Sequence, residues 1–163
     1  MKTLFILRHA KSSWAEPDIS DFDRPLNDHG RSAAPFMGEL VRQRHLLPDV
    51  ILTSPAKRAR ETASFVKNAG QLESEIVFDH HIYEASPQTL LSIAAGINDR
   101  YRSAMIVGHN PGVEGFIRCL TGKLEPMATA SLAVIDLDIA SWGDLTTNIG
   151  TLRLVIRPRE EMN

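Results

Sequence analysis

The sequence predicts an α/β fold: a three-layer sandwich with a mostly parallel central sheet, helices on both faces and an antiparallel C-terminal edge. Three observations carry this. Residues 4–7, 50–53 and 104–107 are short, largely apolar runs of the kind that form strands buried on both faces. Segments with apolar residues three and four apart separate these runs, as helical crossovers require. From Ser131 the pattern changes, and residues 132–137 and 151–156 read as two strands joined without a helix.

Taken in order, residues 2–7 form the first strand. Residues 10–26 hold Pro17, Pro25 and several acids and read as a long surface loop, with Trp14 as its apolar anchor. Asn27 is a good N-cap for the first helix, whose stripe runs through Ala33, Met37, Leu40 and Val41. Pro35 is awkward inside it and suggests a late start. After the strand at 50–53, Ser54-Pro55 opens a second helix as cap and first-turn proline, running to about Asn68 and stopped by Gly70. Residues 76–78 are a short strand and 80–84 a loop. Ser86-Pro87 repeats the cap-and-proline opening for a third helix reaching about Arg100. After the strand at 104–107, Gly108-His109-Asn110-Pro111-Gly112 turns into a fourth helix that ends near Gly122. The last two strands flank a turn containing Gly143-Asp144.

The chain has 163 residues, 43% hydrophobic and 23% charged, which fits one globular domain over residues 1–163. A net charge of -2 without a long basic block argues against nucleic acid as a partner. The apolar run before Arg8 is too short for a signal sequence, and no stretch approaches a membrane span. One cysteine, Cys119, cannot form an internal disulfide, so a reducing, cytoplasmic setting is expected. A monomer is expected.

Ligands of open parallel sheets sit beyond the carboxyl ends of the strands. Three strands end there in polar, basic sequence: Arg8-His9, then Ser54-Pro55-Ala56-Lys57-Arg58-Ala59-Arg60, then Gly108-His109-Asn110. A guanidinium suits a phosphate, and an imidazole beside it suits nucleophilic attack on phosphorus. Lys57, Arg58 and Arg60 sit where the dipole of the second helix disfavours cations; a bound anion at that helix start would remove the conflict. Arg58 is the residue expected to point inward. His29, His45, His80 and His81 read as surface residues, and no spaced His/Asp/Glu set suggests a metal.

These residues together resemble the histidine phosphatase (phosphoglycerate mutase-like) superfamily. The family pattern of Arg-His-Gly after the first strand, an arginine after the second and a later histidine reads here as Arg8-His9-Ala10, Arg58 and His109, with Ala10 departing from glycine. Residues 8–14, the Asp23-Arg24-Pro25-Leu26-Asn27 stretch with Gly30, Ser54-Pro55 before Arg58, and Gly108-His109-Asn110-Pro111 look like the SixA-type phosphohistidine phosphatases. The resemblance implies that His9 becomes a transient phosphohistidine while Arg8, Arg58 and His109 hold the equatorial oxygens, without metal or other cofactor. Glu84 is the candidate proton donor, with Asp18, Asp21 and Asp23 as rivals. Arg24 and Asn110 are further candidates for substrate binding. The expected substrate is a phosphohistidine-bearing partner protein. The alternatives are a small phosphorylated metabolite, or phosphate binding without turnover.

Overall fold

The computed structural model describes residues 1–162. Six strands form one sheet in the order β3-β2-β4-β1-β5-β6. They are β1 (Lys2–Arg8), β2 (Val50–Thr53), β3 (Glu75–Phe78), β4 (Ser103–Gly108), β5 (Leu132–Leu137) and β6 (Gly150–Ile156). The first four are mutually parallel; β5 runs antiparallel to β1, and β6 antiparallel to β5 at the sheet edge. The order explains the layers. The chain steps outward from β1 to β2 to β3, then reverses to reach β4. Right-handed crossovers therefore put α1 (Asp28–Gln43) and α2 (Lys57–Gly70) on one face and α3 (Pro87–Ala95) on the other, where α4 (Gly112–Thr121) joins it.

β1 shows how the sheet divides the core. Phe5 and Leu7 pack with Ala33, Met37, Ala63 and Val66 of α1 and α2. Leu4 and Ile6 point the other way, into a cluster with Leu90, Phe116, Ile117 and Trp142. Because β1 is covered on both faces, its apolar run is continuous rather than alternating.

Several expectations need correction. The segment before α1 is not an open loop: Ser12 and Leu26 form a β-bridge, and Asp21–Asp23 is a 3₁₀ turn. Trp14 is no buried anchor. Its side chain is 77% exposed, with the Arg24 guanidinium 3.5 Å over the ring, and Leu26 fills the interior position instead. Helix α1 does not start late. Asn27 accepts from the Gly30 N–H, and the helix runs through Pro35 because its buried stripe of Ala33, Ala34, Met37, Leu40 and Val41 outweighs one missing backbone bond.

Helix α2 begins at Lys57 without a side-chain cap, because Ser54 is diverted to its own loop and to His109. Gly70 does not end α2; left-handed Gln71 does, at φ 50°. Gly70 is needed elsewhere. A Cβ there would lie 2.6 Å from the Gly38 carbonyl oxygen, and one on Gly38 would lie 2.5 Å from that of Val66. The pair lets α1 and α2 cross closely.

Helix α3 stops at Ala95, capped by Gly96, because Asp99 beyond it bonds Trp142 N–H and Ser141 Oγ. Residues 80–82 form a 3₁₀ turn, and a short helix α5 (Pro158–Glu161) follows β6. The β5–β6 connection is no tight turn. Residues 138–149 fold back so that Trp142 is fully buried, its Nε1–H donating to the Tyr101 carbonyl at 2.9 Å.

Candidate active site

Strand β4 lies between β1 and β2, so their carboxyl ends are neighbours. Arg8 pairs with Gly108 in register, the His9 N–H donates to the Gly108 carbonyl, and the Ser54 N–H donates to that of Val107. These ladder bonds carry three separated segments to one rim. The His9 and His109 rings are 5.1 Å apart between centroids, and both residues are over nine-tenths buried.

The His9 Nδ1–H donates to the Ala10 carbonyl at 2.7 Å. That bond selects the tautomer whose Nε2 carries a free lone pair. Burial first, helped by His109, Arg58 and Arg8, holds the His9 pKa down to about 3, against the opposing pull of the Ala10 carbonyl. The ring is therefore neutral at physiological pH, as a nucleophile must be. The Ala10 N–H donates to Thr62 Oγ1 on α2, which anchors the residue whose carbonyl holds the ring.

His109 Nε2 lies 2.8 Å from Ser54 Oγ. That oxygen also accepts from the Ala56 N–H, which holds it against the ring. The other ring nitrogen, Nδ1, is buried and has no partner among the described residues. Burial and then Arg58 lower the His109 pKa to about 4, so this ring too is neutral.

Arg58 reaches inward from the first turn of α2, while Arg60 is exposed and Lys57 is partly so. The Arg58 guanidinium donates to the Asp21 carbonyl at 2.7 Å and to Asp21 Oδ2 at 3.0 Å. Asp21 also accepts from the Tyr83 hydroxyl at 2.6 Å and from Arg24 Nε at 3.1 Å. Its pKa is held down to about 2, mainly by the Tyr83 hydrogen bond and then by Arg58. Tyr83 is pushed up to about 12 by burial and by Asp21. A cavity of about 680 Å³ opens here, with Asp21, Arg58, Tyr83, Glu84 and His109 in its lining.

Arg8 donates from Nη1 to the Met127 carbonyl at 3.0 Å. The buried Nε of both Arg8 and Arg58 has no acceptor among the described residues. Glu84 is exposed on the cavity rim, with a left-handed backbone at φ 56°. Two other candidates bond to their surroundings, and one of them, Asn110, also lines the cavity. Asn110 spends its amide on Glu114 Oε2 and the Met127 carbonyl. Arg24 bonds Ser12 Oγ at 2.7 Å as well as Asp21, which ties the first loop together. Of the rival acids, only Asp21 lines the cavity. His29, His45, His80 and His81 are exposed. Among the described residues no group of three or more His, Cys, Asp or Glu could hold a metal.

Sequence reasoning missed Tyr83, Ser54 and Thr62 as parts of this site. Nothing in their local patterns marks them; each matters through a partner remote in sequence.

Two neutral, buried histidines and two inward arginines at the carboxyl edge of a parallel sheet define an α/β protein with the elements of a phosphoryl-transfer site. The histidine phosphatase superfamily (branch 1) model matches residues 4–90, a span that includes His9 and Arg58. The chain belongs to that superfamily. An uncharacterized chloroplastic protein of Arabidopsis thaliana is 30% identical over 151 residues, covering 86% of this chain and 69% of that one. An uncharacterized Mycobacterium leprae protein is 34% identical over 120 residues, 72% of either chain. The crystal structure of a candidate phosphohistidine phosphatase SixA from Agrobacterium tumefaciens superposes with a TM-score of 0.84 at 32% identity, over 96% of this chain and 98% of that one. The protein histidine phosphatase SixA complexed with tungstate shares the fold, with a TM-score of 0.84 at 21% identity over 98% of this chain and 99% of that one.

Proposed function

We propose that this protein is a phosphatase that removes a phosphoryl group from phosphohistidine on a partner protein, through a covalent phosphohistidine at His9. The observation that carries the reading is the pairing of a neutral His9, its Nε2 lone pair free, with the guanidiniums of half-buried Arg8 and buried Arg58. Nε2 attacks phosphorus, the P–N bond to the substrate imidazole breaks, and the leaving ring takes a proton. Water then attacks the phosphorus on His9 and releases inorganic phosphate. Arg8, Arg58 and His109 hold the equatorial oxygens as charge redistributes.

Glu84 is the acid assigned to the leaving group. Asp21 is a poor donor, since its depressed pKa keeps it ionised at neutral pH. Its role is to hold Arg58 in place before substrate arrives. Arg24 supports the substrate site through Asp21, and Asn110, which lines the cavity, is held there by Glu114.

The substrate choice draws on the similarity to SixA structures and on a cavity that is open at its rim. The alternatives are a small phosphorylated metabolite, or binding without turnover. Incubation with a phosphorus-labelled phosphohistidine protein should leave an acid-labile, base-stable label on His9, and His9→Ala should carry none and release no phosphate. Wild-type-like turnover by His9→Ala would remove the mechanism. Faster hydrolysis of phosphorylated sugars than of the phosphoprotein would favour the metabolite reading.

A further inference from the structure

A second depression, of about 340 Å³, shares no lining residue with the cavity at Arg58 and His109. Basic side chains line it: Arg8, Lys11, Arg157 and Arg159, with His29, Ala128 and Thr129 between them. No acidic side chain takes part. Three remote segments contribute, namely the end of β1, the first turn of α1 and the start of α5. The dipole of α1 adds positive potential beside His29.

This charge is surplus to the chemistry. A phosphoryl group on His9 is served by Arg8, Arg58 and His109. Arg157 is committed to Glu125 at 3.0 Å and to the Pro126 carbonyl. Lys11 and Arg159 are exposed and form no ion pair among the described residues. Yet the chain as a whole carries a net charge of -2. Unpaired cations gathered in a groove that touches Arg8 raise the local concentration of an acidic partner there.

We propose that this groove docks an acidic segment of the phosphorylated partner protein beside the phosphohistidine that enters at His9. The inference rests on the phosphoprotein reading above and names what that partner presents. A second phosphate group is the lesser candidate. A phosphate pocket surrounds its ligand with buried, pre-aimed donors, whereas Lys11, His29 and Arg159 are all exposed. Exposed lysine and arginine on separate segments suit several carboxylates spread along a peptide surface.

The test uses phosphohistidine peptides identical except for flanks of Asp/Glu, Ala or Lys, with the wild type and with the double variant Lys11→Glu/Arg159→Glu. The wild type should show a lower KM for the acidic flank than for the neutral one, by about three- to tenfold at low salt, and the gap should shrink at 0.5 M NaCl. The double variant should lose or reverse the preference. Its turnover of p-nitrophenyl phosphate, which presents no peptide flank, should stay within about twofold of wild type. That control also reports folding.

Equal KM for acidic and neutral flanks in the wild type would overturn docking while leaving phosphohistidine turnover intact. So would an unchanged preference in the double variant. Failure of the wild type to hydrolyse any phosphohistidine peptide would overturn the functional reading and docking with it. A selective loss on a bisphosphorylated sugar, with peptides unaffected, would give the groove to a second phosphate and also overturn docking.

Discussion

At the scale of single residues, the site depends on keeping two imidazoles neutral among cations. The folded pKa values of about 3 for His9 and about 4 for His109 lie below the ~6.5 of an exposed histidine. Above pH 6.5 both rings are neutral in folded and unfolded chains, so neither costs stability. Below it the unfolded chain takes up protons that the folded one resists. Stability should therefore fall as pH drops from 6.5 toward 4, by ~1.4 kcal/mol per pH unit for each ring. Asp21, whose pKa is depressed instead, loses its contribution only below about pH 4, outside this window. Urea midpoints at pH 7 and pH 5 measure the effect, and His109→Asn should cut the difference by about half, His9 supplying the rest. A midpoint independent of pH would show that the rings are not shielded as described. Arg58 gives a second residue-scale prediction. Arg58→Ala should lower kcat/KM by an amount on the order of 3 kcal/mol, about a hundredfold, and weaken phosphate inhibition in parallel. Arg58→Lys should recover only part, because a single ammonium cannot reproduce the two-pronged guanidinium. Unaffected kinetics in Arg58→Ala would return that side chain to a structural role.

At the scale of elements, the carboxyl ends of β1, β4 and β2 are held level by parallel register, and the helices pull their side chains inward. Arg58 enters the site because α2 starts at Lys57 and packs its Ala59, Ala63 and Val66 stripe on the sheet. The position of α2 in turn depends on its crossing with α1 at Gly38 and Gly70. Gly38→Ala would drive a methyl to 2.5 Å from the Val66 carbonyl oxygen. Backbone cannot move aside as a flexible side chain does, so this change should cost about 1–3 kcal/mol, read as a lower urea midpoint. An unchanged midpoint would mean that the helices separate freely. At the other helix pair, Gly112 allows the start of α4 to lie against the α3 approach, where a Cβ would meet the Ala85 carbonyl oxygen at 2.3 Å.

At the scale of the molecule, one sheet separates two apolar clusters, and every central strand contributes to both. Neither layer can unfold without exposing the sheet face on which it packs. Residues 1–163 are accordingly expected to unfold as one domain. Far-UV circular dichroism and the near-UV signal of buried Trp142 should give coincident urea transitions. Separate transitions would indicate independent units. No helix among the described residues is long and apolar enough to cross a membrane. Arg58 and His109 line the cavity, and Arg8, from the carboxyl end of β1, lines the basic groove.

Patterns local in the chain were legible without coordinates. The buried runs of β1, β2 and β4, the Asn27 and Ser86 caps, and the Arg8-His9 pair each depend on residues within a few positions of one another. What escaped depends on contacts across the chain. Trp14 looks like an anchor until Arg24 is found stacked on it in the open. Gly70 looks like a helix stop until Gly38 is found against it. Ser54 looks like a cap until His109 takes its hydroxyl. Composition and periodicity determine which segments must be buried and in what secondary structure, because burial acts on each side chain by its own chemistry. Which remote hydrogen-bonding partner a buried polar group finds is decided only when separate segments meet, so the Asp21–Tyr83–Arg58 network and the Ser54–His109 contact belong to the tertiary structure alone.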